Sequence, residues 1–85
     1  MDKIYLSNHI KLEILTICGL PTARSYNLEG NTHLYTLGYE DSIHCKLLED
    51  KLKLIAANYR PDEAIQIGHI SKDFTVSDCI QLLLK

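Results

Sequence analysis

The amino-acid sequence predicts a mainly helical fold in one domain. Three stretches repeat their apolar residues at helical spacing, and the first two are each followed by a proline. Eighty-five residues suffice for one hydrophobic core, so we expect a single domain over residues 1–85. With no Trp and one Phe, that core is predicted to consist mostly of Leu and Ile.

The first helix is predicted to begin near Ser7 or Asn8, because both are good N-cap residues. Gly19 and Pro21 are predicted to end it, in the usual order of helix-stopping residues. Its apolar side is predicted to consist of Ile10, Ile14 and Ile17, widened by Leu12 and Leu15.

The segment that follows has two readings. Residues 26–35 fit a β-hairpin that turns at Gly30-Asn31, and they fit a long irregular loop equally well. In the hairpin, one face would hold Tyr26, Leu28, His33 and Tyr35. The residues alone leave both readings open.

The second helix is predicted to run from about Asp41 to Asn58. Its buried stripe is predicted to be Leu48, Leu52, Ile55 and Tyr59. A second apolar stripe, turned well away from the first, consists of Ile43, Leu47 and Leu54. One stripe is enough to dock a helix, so the second must contact another helix, a ligand cavity or a partner.

The end of the chain is predicted to hold one short helix and one longer helix. Residues 61–67 fit a short helix that opens at Pro61, although alternating apolar residues also fit a strand. The last helix is predicted to follow an N-cap at Thr75 or Ser77. Its apolar side is Val76, Ile80, Leu83 and Leu84.

Composition excludes several classes of function. A net charge of −2 supplies no basic field for nucleic acid or for an anionic membrane. Three widely spaced cysteines favour buried apolar side chains over disulfides or zinc, and with them a reducing compartment such as the cytoplasm. The four histidines are scattered, so no metal site is predicted. Because no nucleophile–base pair is legible, we do not expect an enzyme.

Ser42, with Asp41 before it, stands at the start of the second helix. The first N–H groups of a helix are unpaired and favour a phosphate ester on a hydroxyl there. A neighbouring carboxylate can help to hold a metal ion during phosphoryl transfer. On its own, an Asp-Ser pair before a helix is usually only a cap.

The surrounding residues add a family resemblance. Residues 37–43, Leu-Gly-Tyr-Glu-Asp-Ser-Ile, resemble the Leu-Gly-x-Asp-Ser-Leu motif of acyl carrier proteins. Pro-Asp-Glu-Ala at 61–64 and Thr-Val-Ser-Asp-Cys-Ile at 75–80 are similar to the starts of that family's third and fourth helices. Asn-Thr-His-Leu at 31–34 is similar to the end of its first loop, so the resemblance covers about residues 31–84.

The resemblance implies an all-α, four-helix bundle of the acyl-carrier type, with three longer helices, one short helix and a long first loop. It implies 4′-phosphopantetheine, taken from coenzyme A, on Ser42, with Asp41 contacting the metal ion and the transferase during modification. The chain would carry acyl or aminoacyl thioesters in a fatty-acid, polyketide or nonribosomal-peptide type of pathway. Its partners would be a phosphopantetheinyl transferase and enzymes that load, condense or modify the cargo. The chain itself would be a monomer.

The residues predicted to contact these partners are Ile43, Lys46, Leu47 and Glu49. The sequence departs from the family at Ile43, where the family usually has leucine, and in several extra residues, 68–73, before the last helix, and two further departures concern the motif and the charge. Tyr39 and Glu40 separate the motif's glycine from Asp41, where the family has one residue. The second helix also mixes lysines with acids, whereas the family's is strongly acidic, and this favours a carrier dedicated to a specialised pathway.

The alternative belongs to another class of function. It is a small α+β protein-interaction module, such as an adaptor, an inhibitor or a chaperone-like protein. The hairpin would then exist, and Ser42 would only cap a helix.

Overall fold

The computed structural model describes residues 3–40, 42–59 and 67–84, and for Ser42 it describes only the backbone. In this part of the chain the helices are α1 (Lys3–Ile17), α2 (Ser42–Tyr59) and α3 (Val76–Leu84). Two short 3-10 helices, Ser25–Asn27 and Leu34–Leu37, lie between α1 and α2. The mainly helical fold predicted from the sequence is confirmed.

Helix α1 begins earlier than the sequence predicts. It starts at Lys3, so Ser7 and Asn8 lie inside the helix, and the predicted N-cap at these residues is wrong. The reason is Leu6, which lies one turn before Ile10 and is buried like it. Burying one more apolar side chain in the core outweighs the preference of Ser and Asn for a cap.

The end of α1 agrees with its prediction. Gly19 has a φ of 68°, the left-handed conformation that glycine adopts without strain. Its N–H donates to Thr16 O at 3.0 Å, while the N–H of Leu20 donates to Leu15 O at 2.9 Å. These two hydrogen bonds form a Schellman motif. On the apolar side, Leu15 is buried as predicted, but Leu12 is wrongly predicted because it is 37% exposed.

The connection between α1 and α2 is a loop rather than a hairpin. Within the described residues, its pairing with another segment is an isolated antiparallel bridge between His33 and Thr75. Hydrogen bonds beside the bridge join Leu34 N–H to Phe74 O and Val76 N–H to Thr32 O, each at 2.9 Å. The loop is therefore docked on the start of α3. The hairpin on which the α+β alternative relies is therefore wrong.

Helix α2 matches its prediction closely. The stripe predicted to be buried does face the core, and Tyr59 at its end is half-buried. Helix α1 packs against both α2 and α3. The core is mainly aliphatic, as predicted. Its fully buried side chains of largest volume are Tyr39, Ile10, Ile14, Leu34, Leu48, Leu52, Ile70 and Leu83.

Helix α3 has the first of its two predicted caps. The Thr75 hydroxyl accepts a hydrogen bond from the N–H of Asp78 at 3.1 Å, and the Asp78 carboxylate accepts one from the N–H of Thr75 at 2.9 Å. This reciprocal pair is a capping box. Ser77, the other predicted cap, lies inside the helix with an exposed side chain.

The short helix predicted over residues 61–67 lies almost entirely outside the described residues, which resume at Ile67. Ile67 and Ile70 are buried in the core, so the segment before α3 is anchored by two apolar side chains. In the described part of the chain, no helix is long and apolar enough to cross a membrane.

Candidate functional site

The segment that leads into α2 is held in place by Gly38 and Tyr39. Gly38 ends the second 3-10 helix in the left-handed conformation, with a φ of 105°. Tyr39 is fully buried, its N–H donates to Leu34 O at 3.1 Å, and its hydroxyl donates to Ile14 O at 2.5 Å. This tyrosine ties the residues just before α2 to the last turn of α1.

Burial raises the pKa of Tyr39 and of the nearby Cys79 thiol. It is the largest cause of a strongly raised pKa for Tyr39, followed by the neighbouring Cys18 thiol. Burial also raises the pKa of Cys79 to about 12, with the Asp78 carboxylate as the next cause. Cys45 and Cys79 are buried as predicted, and Cys18 is half-buried. With this pKa, Cys79 remains a neutral thiol at physiological pH.

Ser42 is the first residue of α2. Its side chain and the whole of Asp41 lie outside the described part of the structure, so the roles predicted for both residues stay predictions. Position alone places Ser42 where the first backbone N–H groups of an 18-residue helix lack helical partners. Such N–H groups, with the helix dipole, favour an anion near the first turn.

The second apolar stripe of α2 does not pack into the core. Ile43 is 67% exposed and Leu47 is 48% exposed, and Leu54 further along the helix is exposed as well. Single exposed apolar residues are ordinary on a protein surface. Ile43 and Leu47, however, lie one turn apart near the N-terminus of α2, which begins at Ser42. Together they form an apolar surface beside the predicted attachment point.

This apolar surface forms one wall of a groove of about 540 Å³. The described residues that line it include the four predicted to contact partners and one on the segment before α3. They are Ile43, Lys46, Leu47, Glu49 and His69. We call this feature the α2 groove.

The charged side chains of the α2 groove differ in their surroundings. Lys46 is well exposed, and its Nζ lies 3.5 Å from Asp50 Oδ1, one turn along the helix. Glu49 is buried, with 8% of its surface exposed, and its Oε2 lies 3.6 Å from Nδ1 of His69. The His69 side chain is 79% exposed, so the imidazole beside this carboxylate lies largely in solvent.

His69 is the lining residue that sequence reasoning missed. It lies 20 positions after Glu49, and no local pattern links the two residues. The burial of Ile67 and Ile70 on either side brings it to α2. Contacts between distant segments of this kind are determined by tertiary packing.

The described residues contain no cluster of His, Cys, Asp and Glu that could hold a metal ion. Two more grooves among the described residues lie between the N-terminal part of α1 and α3 and beside Tyr35, Glu40 and Lys72, the second of them also near the start of α2. The α2 groove is the one lined by side chains of the first two turns of α2. It combines an apolar wall, an exposed cation and a buried carboxylate, an arrangement suited to binding.

No family model, no curated protein and no solved structure matches this chain at a significant level. The resemblance to acyl carrier proteins therefore stays a prediction from the residues quoted above.

Proposed function

We propose that this chain is an acyl or aminoacyl carrier protein that holds its cargo on a 4′-phosphopantetheine arm attached to Ser42. The observation that carries the proposal is the place of Ser42. It is the first residue of α2, and the helix turn that follows it opens onto the α2 groove through Ile43 and Leu47. A carrier needs such an attachment point beside a surface that can contact cargo and enzymes.

The attachment reaction is a phosphoryl transfer. The Ser42 hydroxyl oxygen attacks the β-phosphorus of coenzyme A, forming one P–O bond as the bond to the bridging pyrophosphate oxygen breaks. Adenosine 3′,5′-bisphosphate leaves with that electron pair, and a base of the phosphopantetheinyl transferase takes the hydroxyl proton. Asp41 helps to hold the metal ion that neutralises the phosphates.

The residues of this chain fit such a group. The dipole of α2, whose positive end lies at Ser42, favours the phosphate, and the exposed side chains of Ile43 and Leu47 offer apolar contact. The arm supplies a terminal thiol that carries the cargo as a thioester. The protein holds the cargo at high local concentration for the enzymes of its pathway.

The finer architecture belongs to the same proposal. A four-helix bundle of the acyl-carrier type requires a short helix over residues 61–67, between α2 and the anchored residues Ile67 and Ile70. The loop docked on α3 and the all-helical character of the described residues support this architecture.

Lys46 and Glu49 are proposed as the polar contacts to partner enzymes. Because α2 presents lysines as well as acids, the proposed partners recognise a mixed charge pattern, as expected of a dedicated fatty-acid, polyketide or nonribosomal-peptide type of pathway. They are the transferase and the enzymes that load, condense or modify the cargo. The carrier acts as a monomer.

The test is intact mass after incubation with coenzyme A, magnesium and a broad-specificity phosphopantetheinyl transferase. We expect the wild type to gain one phosphopantetheine and Ser42→Ala to gain none. Ser77→Ala is the matched control, because Ser77 also lies in the first turn of a helix and has an exposed side chain. It should be modified like the wild type.

No mass gain by folded wild-type protein contradicts the proposal. Ser42 would then be a helix-capping residue, and the chain would be a helical interaction module that uses the α2 groove to bind another protein.

A further inference from the structure

The α2 groove contains an acidic side chain in an unusual position. Glu49 and Asp50 are neighbours on α2, yet the Asp50 side chain is 55% exposed and that of Glu49 is 10% exposed. Charged side chains are seldom buried unless a cation or hydrogen-bond donors compensate the lost hydration. The Glu49 carboxylate is therefore the group in this groove that can attract a cationic ligand.

The groups around Glu49 leave room for such a cation. Among the described residues, the group within ion-pair distance of its carboxylate is the His69 imidazole, which is charged only when protonated. Lys46 lines the same groove, but its ammonium is directed to Asp50. Because the His69 side chain is mostly exposed, a ligand cation can take its place without disturbing the core.

The rest of the lining is suited to a hydrocarbon chain. Ile43 and Leu47 form the exposed apolar wall nearest the start of α2. Ile43 and Glu49 are separated by a helix rise of about 9 Å, so a ligand entering from the first turn of α2 passes the apolar wall before it reaches the carboxylate. Charge complementarity and this order of contacts favour an apolar chain that ends in an ammonium group.

We propose that the α2 groove holds the ammonium end of an aminoacyl cargo, and that Glu49 selects this cargo over a neutral acyl chain. The inference rests on the carrier function proposed above and names its substrate class. Glu49 binds the ammonium, while Ile43 and Leu47 contact the methylene groups between it and the thioester. Release of the cargo to an enzyme then requires the ammonium to leave the carboxylate.

The experiment compares two cargoes of equal size. Wild-type protein is loaded by the transferase from 8-aminooctanoyl-coenzyme A or from nonanoyl-coenzyme A, which differ in an ammonium or a methyl group at the chain end. Two quantities are measured at neutral pH: the backbone amide NMR shifts of the groove residues, and the rate of thioester hydrolysis. The same two cargoes are loaded on Glu49→Gln and on the matched control Asp50→Asn.

We expect the amides of Leu47, Glu49 and His69 to shift with the amino cargo and to shift much less with the neutral one. Hydrolysis of the amino cargo, relative to the neutral cargo, should be slowed about fivefold, the factor that ~1 kcal/mol corresponds to at 25 °C. Glu49→Gln should abolish both differences, and Asp50→Asn should keep them. Any effect of the amine itself on thioester reactivity is the same in all three proteins, so it cancels when the amino-to-neutral rate ratio of wild type is compared with that of each variant.

The possible failures are distinguishable. If wild-type Ser42 accepts no arm from either coenzyme, the carrier function fails, and the cargo assignment fails with it. If both cargoes load and the groove amides and hydrolysis rates are the same for the two, the cargo assignment alone is overturned. Equal selectivity in Glu49→Gln and wild type would also overturn it, and the groove would then be left to the side chains of a partner protein.

Discussion

The strongest test of the packing described above is the substitution Tyr39→Phe. Tyr39 is the residue that fastens the segment before α2 to α1, and its ring is fully buried. Removal of the hydroxyl leaves the ring in place, so no large cavity forms. What is lost is the hydrogen bond to Ile14 O, whose length is 2.5 Å.

The expected cost follows from that bond. A typical intramolecular hydrogen bond contributes about 1 kcal/mol to stability, and leaving a buried acceptor without a donor costs about 1–3 kcal/mol. We therefore expect Tyr39→Phe to lower the free energy of unfolding by about 1–3 kcal/mol. In a domain of this size each kcal/mol corresponds to a fall in Tm of roughly 4–8 °C.

The assay is thermal and urea unfolding followed by circular dichroism at 222 nm. The matched control is Tyr26→Phe, because Tyr26 lies in the same connection and is 62% exposed. It should change the free energy of unfolding by less than about 0.5 kcal/mol. If Tyr39→Phe were as mild as this control, the hydroxyl would not fasten the loop to α1, and the reasoning about the start of α2 would be refuted.

Two further predictions concern the core and the alkaline limb of stability. Leu47→Ala should lower the free energy of unfolding by less than about 0.5 kcal/mol, because Leu47 is half exposed. Leu48→Ala should lower it by about 2–5 kcal/mol, because Leu48 is fully buried. Urea midpoints measure both, and equal losses would contradict the assigned faces of α2. Burial raises the pKa of Cys79 to about 12, so the folded state keeps this thiol protonated where the unfolded state ionises it. Stability from this group is complete below the unfolded pKa, near 9, and is lost as pH rises toward 12, by about 1.4 kcal/mol per pH unit. Urea unfolding of wild type and Cys79→Ala between pH 8 and pH 10 measures it, and identical slopes for the two proteins would contradict the prediction.

Much of the helical framework could be read from local sequence. The second and third helices were predicted within one or two residues, because apolar residues at a period near 3.6 identify the buried face and a Thr–Asp pair three apart forms a capping box. Gly19 and its hydrogen bonds also followed from local chemistry. These features depend on residues a few positions apart, which a sequence displays directly.

The start of α1 and the state of residues 26–35 could not be settled in that way. Leu6 stands at helical spacing from Ile10, but only its burial in the folded core shows that it outweighs the N-cap preference of Ser7 and Asn8. Residues 30–34 become a docked loop because their backbone groups bond to the segment 72–77, some 40 positions later. A hairpin and a loop have the same local composition, so only the distant partner decides between them.

For the candidate site the division is the same. The sequence by itself determined the helical framework, the position of Ser42 at the start of α2 and the existence of a second apolar stripe, because each depends on spacing along one helix. Only the tertiary structure decided that the part of this stripe at Ile43 and Leu47 is exposed beside a groove, that Glu49 is buried there, and that His69 lies within ion-pair distance of it. Burial and ion pairing join side chains from separate segments, and the folded core brings those segments together.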